Sequence, residues 1–212
     1  MKISIGESSL LNLVSRQVQN LFMAETSELV AIENAFPEAL NRSSHCFSAS
    51  TNKYYWDKEE LIFNPYHSAQ YTIFLYFLAN QLWKASPHLK QIADKIYYLN
   101  KTLNGLDIFY EVEMPSIFFL DHPVGSVLGR AKYGEGFSFS QNCTVGNNHG
   151  IYPTIGKNVT MHSGSKILGE CHIGDNSVIS ANSYIKDQDV PEGTLVFGVS
   201  PNLVFKAPSV AK

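Results

Sequence analysis

The sequence predicts an α+β protein, an N-terminal helical domain followed by a left-handed parallel β-helix of hexapeptide repeats. Two observations carry this expectation. In the first half, apolar side chains recur at helical spacing. From Val127 onward they recur every six residues instead. A helix repeats near 3.6 residues and a strand near 2, so a sustained period of six fits neither alone. It fits a chain that turns a corner every six residues. Three such sides close one triangular coil, and coils stack at strand spacing, about 4.8 Å.

In the helical domain, Leu10, Leu11, Val14, Val18, Leu21 and Phe22 share one helical face. Leu29, Ile32, Phe36 and Leu40 form a second. The polar runs Asn41-Arg42-Ser43-Ser44 and Asn52-Lys53 read as loop, and residues 53–63 as a short strand or an extended linker. Asn64-Pro65 signals a turn, after which Ser68 caps a helix running through Tyr76 to Trp83. Ser86-Pro87 breaks that helix. Another runs from Leu89 to Leu103 and ends at a C-cap in Asn104-Gly105. The domain boundaries expected are 1–105 for the helical cap and 106–206 for the coils, leaving 207–212 as a short tail.

The coil beats fall at Val127, Tyr133, Phe139 and Val145, then at Ile155, Met161, Ile167, Ile173, Ile179 and Ile185. Small or slim residues follow four positions later at Ala131, Cys143, Val159, Ser165, Cys171, Ser177 and Ser183, with Phe137 the bulky exception. From Val145 to Ile155 the chain has four residues more than one beat needs. The excess lies in residues 146–153 and predicts a loop bulging from a corner, where binding chemistry tends to sit. After Ile185 the beat weakens, and Phe197 and Leu203 mark a last partial coil. A prism of this kind leaves a flat face exposed, so a homotrimer or a dimer of trimers is expected.

The composition is ordinary for a globular chain, 44% hydrophobic and 17% charged, with a formal charge of −3. That balance argues against nucleic-acid binding, which needs a basic stripe. The most apolar run, Tyr71 to Trp83, is too short to span a bilayer, and the N-terminus lacks the continuous apolar stretch of a signal peptide. Three cysteines without C-x-x-C spacing point to a reducing cytoplasm, with Cys143 and Cys171 as small core residues.

Coils of this kind mostly house acyl transfer, which needs a base for the acceptor hydroxyl, a group to orient it and donors for the oxyanion. Histidine suits the first task because it titrates near neutrality. His122 stands where the coils begin, in Leu120-Asp121-His122-Pro123, and Asp107 lies fifteen residues upstream, close to one coil. The stretches Asp107-Ile108, Leu120-Asp121-His122 and Val124-Gly125-Ser126-Val127-Leu128-Gly129 resemble the bacterial serine O-acetyltransferases. So do Cys143-Thr144-Val145-Gly146, Ser163-Gly164-Ser165-Lys166-Ile167-Leu168-Gly169 and Phe197-Gly198-Val199-Ser200-Pro201. The resemblance covers residues 106–206.

The resemblance implies an acetyl-CoA-dependent O-acetyltransferase acting on serine or a serine-like small acceptor. His122 would be its general base, Asp107 the partner that orients the imidazole, and Asp121 a wall of the acceptor pocket. Acetyl-CoA would lie along the groove between neighbouring prisms, against Gly146, Gly164, Ser165 and Ala181, with Lys186 or Lys206 reaching its phosphates. No metal is expected. The family's corner loop is longer and ends in Arg-His-Pro, whose basic residues hold the amino-acid carboxylate. Here Ile151-Tyr152-Pro153 replaces that triplet, so Tyr152 and His149 become the acceptor-binding candidates. His67, with Tyr66 and Gln70, would close over the acceptor or serve packing alone. The final Ser209-Val210-Ala211-Lys212 lacks the isoleucine tail that docks the family into cysteine synthase, so that partner is not expected. Three alternatives stay open: O-acetylation of a sugar or polysaccharide precursor, a catalytically silent scaffold, and a zinc lyase using His149, His162 and His172.

Overall fold

The computed structural model describes residues 1–207; the expected tail beyond that, and its last four residues in particular, lies outside the described residues. The chain divides into two compact units. One comprises Met1–Asn104 with Phe109–Glu111, and the other Gly105–Ile108 with residues from Val112 onward.

The first unit begins with strand β1 (Lys2–Ile3) and helix α1 (Glu7–Phe22), whose Leu10, Val14 and Val18 form one fully buried stripe. Helix α2 (Thr26–Ser48) starts with a capping box, in which the Glu25 backbone N–H donates to Glu28 Oε2 at 2.8 Å. A hairpin of β2 (Trp56–Asp57) and β3 (Glu60–Phe63) follows, and β1 pairs with β3 in parallel, a small sheet too short to show as a pattern. Helix α3 (Ser68–Ala85) is buried on nearly every side, which accounts for the apolar run from Tyr71 to Trp83. Helix α4 (Lys90–Asn104) closes the unit and ends at Gly105, φ +67°. Residues 109–111 belong with the helices because Phe109 and Tyr110 pack their rings on Tyr97.

Two local expectations are corrected here. Residues 41–44 are helical, not a loop. The Ser43 hydroxyl donates to the Ala39 carbonyl at 2.7 Å, and the Arg42 guanidinium lies 4.3 Å from the Phe77 ring centre, so both polar side chains are used within the packing. The residue capping α3 is His67, with no side-chain cap, rather than Ser68. Buried Asn80 joins three segments, accepting from Arg42 Nη1 and donating to the Tyr110 carbonyl, both at 2.8 Å. Asn80→Ala removes both bonds, and chemical denaturation should register a loss of about 1–3 kcal/mol.

The second unit is a parallel β-helix with three faces. One is built from β4 (Asp107–Ile108), and the next strand along the chain, β5 (Phe118–Leu120), opens another. The first coil continues with β6 (Val127–Leu128), β7 (Lys132–Tyr133) and β8 (Phe137–Phe139). Then come β9 (Thr144–Gly146), β10 (Thr154–Ile155), β11 (Thr160–Met161), β12 (Lys166–Leu168), β13 (His172–Ile173), β14 (Val178–Ile179) and β15 (Tyr184–Lys186). The faces are β4-β6-β9-β12-β15, then β7-β10-β13, then β5-β8-β11-β14, all in parallel register. Beat residues stack in columns such as Phe139, Met161 and Ile179, all essentially inaccessible.

The beat misplaces one position. Val127 points outward, 45% exposed, and Leu128 takes the inner place opposite Val145. Ser126 fills the small inner slot two residues earlier, as Cys143 does before Val145. Both Val127 and Leu128 are apolar, so only the strand register separates them. The expected last coil is also different. β16 (Leu195–Val199) covers the end of the prism, pairing with β14 and β15, and β17 (Asn202–Lys206) folds back on it as an antiparallel strand.

Candidate functional site

His122 occupies a corner that is two residues longer than the corners stacked on it. Above it in the same edge stand residues 140–142, 162–164 and 180–182, linked by backbone bonds from Asn142 to Val124, Gly164 to Gln141 and Asn182 to Ser163. From Leu120 to Gly125 the chain takes five steps, where Phe139 to Asn142 takes three. The extra length throws the His122 side chain into solvent, 89% exposed. Its backbone is left-handed, φ +49°, an uncommon conformation for a non-glycine residue and one that costs about 1–3 kcal/mol.

The turn beneath it is firmly held. Val124 N–H donates to the His122 carbonyl and Ser126 N–H to the Pro123 carbonyl, at 2.8 and 3.1 Å. The buried Ser126 hydroxyl donates to the Ser140 carbonyl and accepts from Cys143 N–H, fastening the turn to the next coil. The Asp107 segment is tied to the same turn by Gly125 N–H to Gly105 and Asp107 N–H to Ser126, at 2.7 and 2.8 Å. Asp107, half-buried, thus sits one rung from the corner of His122. The ion-pair partner the structure gives His122 is Asp121, its Oδ1 3.6 Å from Nε2. That separation suits a charged pair but is too long for a hydrogen bond.

Gly164 and Ala181 lie on the same edge as His122, two and three coils on, and Asp121, Ser140, His162 and Ser180 form a column beside them. Ser165 points into the prism. It is fully buried in an inner slot, its hydroxyl donates to the His162 carbonyl at 2.7 Å, its N–H bonds the same carbonyl at 3.2 Å, and its own carbonyl accepts from Thr144 N–H at 3.0 Å. Cys143 and Cys171 likewise fill inner slots. Burial pushes the Cys171 thiol above its ordinary value, which makes it a poor nucleophile.

Gly146, Lys186, His149 and Tyr152 stand at the next edge, across the β9 face from the corner of His122. The loop there is a tight hairpin in which Asn148 and Ile151 exchange two backbone bonds, at 3.0 and 3.1 Å. His149 and Gly150 at its tip both have positive φ, 51° and 80°, the pattern of a type I′ turn. Ile151 and Tyr152 project outward, 47% and 43% exposed.

His67 lies in the helical unit. Its ring packs between Tyr54 and Tyr55 at 5.7 and 5.8 Å. Gln70 is fully buried and spends both ends of its amide internally, on Asn64 N–H and the Tyr54 carbonyl, which removes it as a substrate ligand. His149, His162 and His172 stand at three separate places on the prism, and among the described residues no group of three or more His, Cys, Asp or Glu gathers to hold a metal. Nor, among those residues, is any helix long and apolar enough to cross a membrane.

Comparison with known proteins agrees with this architecture. Residues 152–187 match the family described as Bacterial transferase hexapeptide (six repeats). A serine acetyltransferase of Staphylococcus epidermidis is 29% identical over 154 residues, covering 65% of this chain and 66% of that protein. One of Mycobacterium tuberculosis is 30% identical over 132 residues, covering 60% of this chain and 56% of that protein. The chain thus spans just under two thirds of the length of the former and less of the latter. A solved serine acetyltransferase in complex with CoA superposes with a TM-score of 0.73 at 23% identity, over 92% of this chain and 83% of that one. Another, in complex with cysteine, gives 0.72 at 24% over the same shares. The chain is a left-handed hexapeptide-repeat β-helix protein with a helical N-terminal unit, similar in sequence and fold to the serine acetyltransferases.

Proposed function

We propose that this protein is an acetyl-CoA-dependent O-acetyltransferase acting on serine or a serine-like small acceptor, with His122 as general base. The observation that carries this reading is the corner of His122. An exposed imidazole is held in a strained backbone on a rigid turn, with Asp121 and Asp107 close by and a run of small corner residues beside it. The imidazole takes the acceptor hydroxyl proton as the oxygen attacks the thioester carbonyl, and CoA leaves as the thiol. Asp107 orients and stabilises the imidazolium, and Asp121 lines the acceptor pocket. Gly164 and Ala181, whose lack of bulk lets a ligand approach the coil, offer the pantetheine arm its path. Similarity to the serine acetyltransferases supports the choice of donor and acceptor.

The edge of His122 and the edge of the corner loop lie apart in one chain, so a complete site takes one edge from each of two protomers. We therefore infer a homotrimer, or a dimer of trimers, with acetyl-CoA in the groove between prisms and Gly146 and Lys186 on its far wall. Three free, buried thiols fit a reducing cytoplasm. The residues of the loop tip, Asn147 to Tyr152, include neither Arg nor Lys, and this favours a second acceptor class, the hydroxyl of a sugar precursor that has no carboxylate to bind.

The test is acetyl-CoA turnover, read as thiol release, against a panel of serine, other amino alcohols and sugars. Turnover with serine or an amino alcohol supports the proposal; turnover with sugars alone supports the second class; none with any acceptor rejects both. Asp107→Asn should lower kcat by about tenfold, less than loss of the base itself, because the imidazole remains in place.

A further inference from the structure

The corner loop is held from two coils away. Asp187 ends the β15 edge, and its carboxylate reaches back along the stack. Oδ1 accepts from Glu170 N–H at 2.9 Å, and Oδ2 accepts from the side-chain amide of Asn148, in the loop itself. Asn148 is the residue whose backbone closes the hairpin with Ile151. The approach needs Gly169 between them. A Cβ there would strike Asp187 Oδ1 and crowd the Asn148 side chain, and Gly169 N–H meanwhile donates to the Gly146 carbonyl at 3.0 Å. Asp187 itself is left-handed, φ +49°, a backbone that Asp and Asn tolerate better than most residues.

We propose that Asp187 is a positioning residue for the acceptor loop: it fixes the hairpin through Asn148 and thereby sets where His149 and Tyr152 stand. The role in acceptor binding rests on the acetyl-transfer reading above. The bracing itself does not. A carboxylate fits this place because it accepts from both donors at once with its charge assisting each bond, while an amide has one acceptor oxygen and can meet Asn148 only through a weaker neutral bond, with the Asn148 amide turned over.

A polarity swap tests it in the full-length protein. Asp187→Asn replaces the charge-assisted bond to Asn148 by a neutral amide–amide bond and keeps the left-handed backbone accessible. Asn148→Asp combined with Asp187→Asn restores a carboxylate–amide pair with its direction reversed. In the single variant, hydrogen exchange at the Asn148 and Ile151 amides should accelerate by about tenfold, and the KM for the preferred acceptor should rise about tenfold. The KM for acetyl-CoA should stay within about threefold, and the double variant should recover both affected values. Unchanged exchange in Asp187→Asn overturns the bracing, whatever the activity. Faster exchange with an unchanged acceptor KM overturns the positioning role. A general rise in both KM values without rescue by the double variant marks a structural defect and also overturns it. Wild-type protein that acetylates nothing in the panel rejects the acetyl-transfer reading and, with it, the acceptor role, while the exchange result still decides the bracing.

Discussion

His122→Ala should reduce acetyl transfer by about two to four orders of magnitude, the range expected for losing a general base. The loss should fall on kcat, with the KM for acetyl-CoA little changed, because in the proposed mechanism the imidazole acts on the acceptor proton. Alanine also takes over a left-handed backbone at the tip of the long corner. Circular dichroism and the unfolding midpoint should therefore accompany the kinetics, since a collapsed turn would lower activity for another reason. His122→Asn separates the two effects, because asparagine tolerates the backbone yet cannot serve as the base. Both variants should be equally slow. A rate close to wild type in either one would reject the mechanism.

Phe139→Ala should have the largest effect on stability, about 3–5 kcal/mol by chemical denaturation. The ring is 1% exposed, stacks on Phe137 at 5.8 Å between ring centres, and stands in register with Leu120 below and Met161 above. A prism interior is narrow and has no second layer that can move in, so a hole left there stays open. Phe139→Leu, which retains most of the volume, should cost less than half as much. Equal losses from the two substitutions would show that volume is not what the interior requires.

The prism was legible in the sequence because each beat marks one inward residue per side, and nine of the ten beats before the pattern fades hold to it. Val127 was misread, as two adjacent apolar residues leave the choice to strand register, and so were Phe197 and Leu203, which lie in an antiparallel pair and not in a further coil. The helices were legible from their buried stripes. Residues 41–44 were not, because Arg42 and Ser43 find partners at a distance or back along the helix that composition does not reveal. In the candidate site, the approach of Asp107 to the corner of His122 followed from an interval close to one coil. The two added residues at that corner stayed hidden. They interrupt no beat, since the six-residue count begins only after them. The bracing by Asp187 was equally invisible, for it joins residues 39 positions apart through one side chain.

The hairpin at residues 147–152 leaves the prism at one corner and returns to it four residues late, yet Thr154 and Ile155 pair in the same register as their neighbours on either side. Length gained at a corner is therefore not transmitted along the stack. Each coil meets only the coils before and after it, and an insertion displaces neither. Such a scaffold separates two problems that most enzymes must solve together. The sides can be fixed by packing while the corners are rewritten, so, under the proposed acetyl transfer, a loop exchanged here for one with a basic tip should alter which alcohol is chosen without asking any inward residue to change.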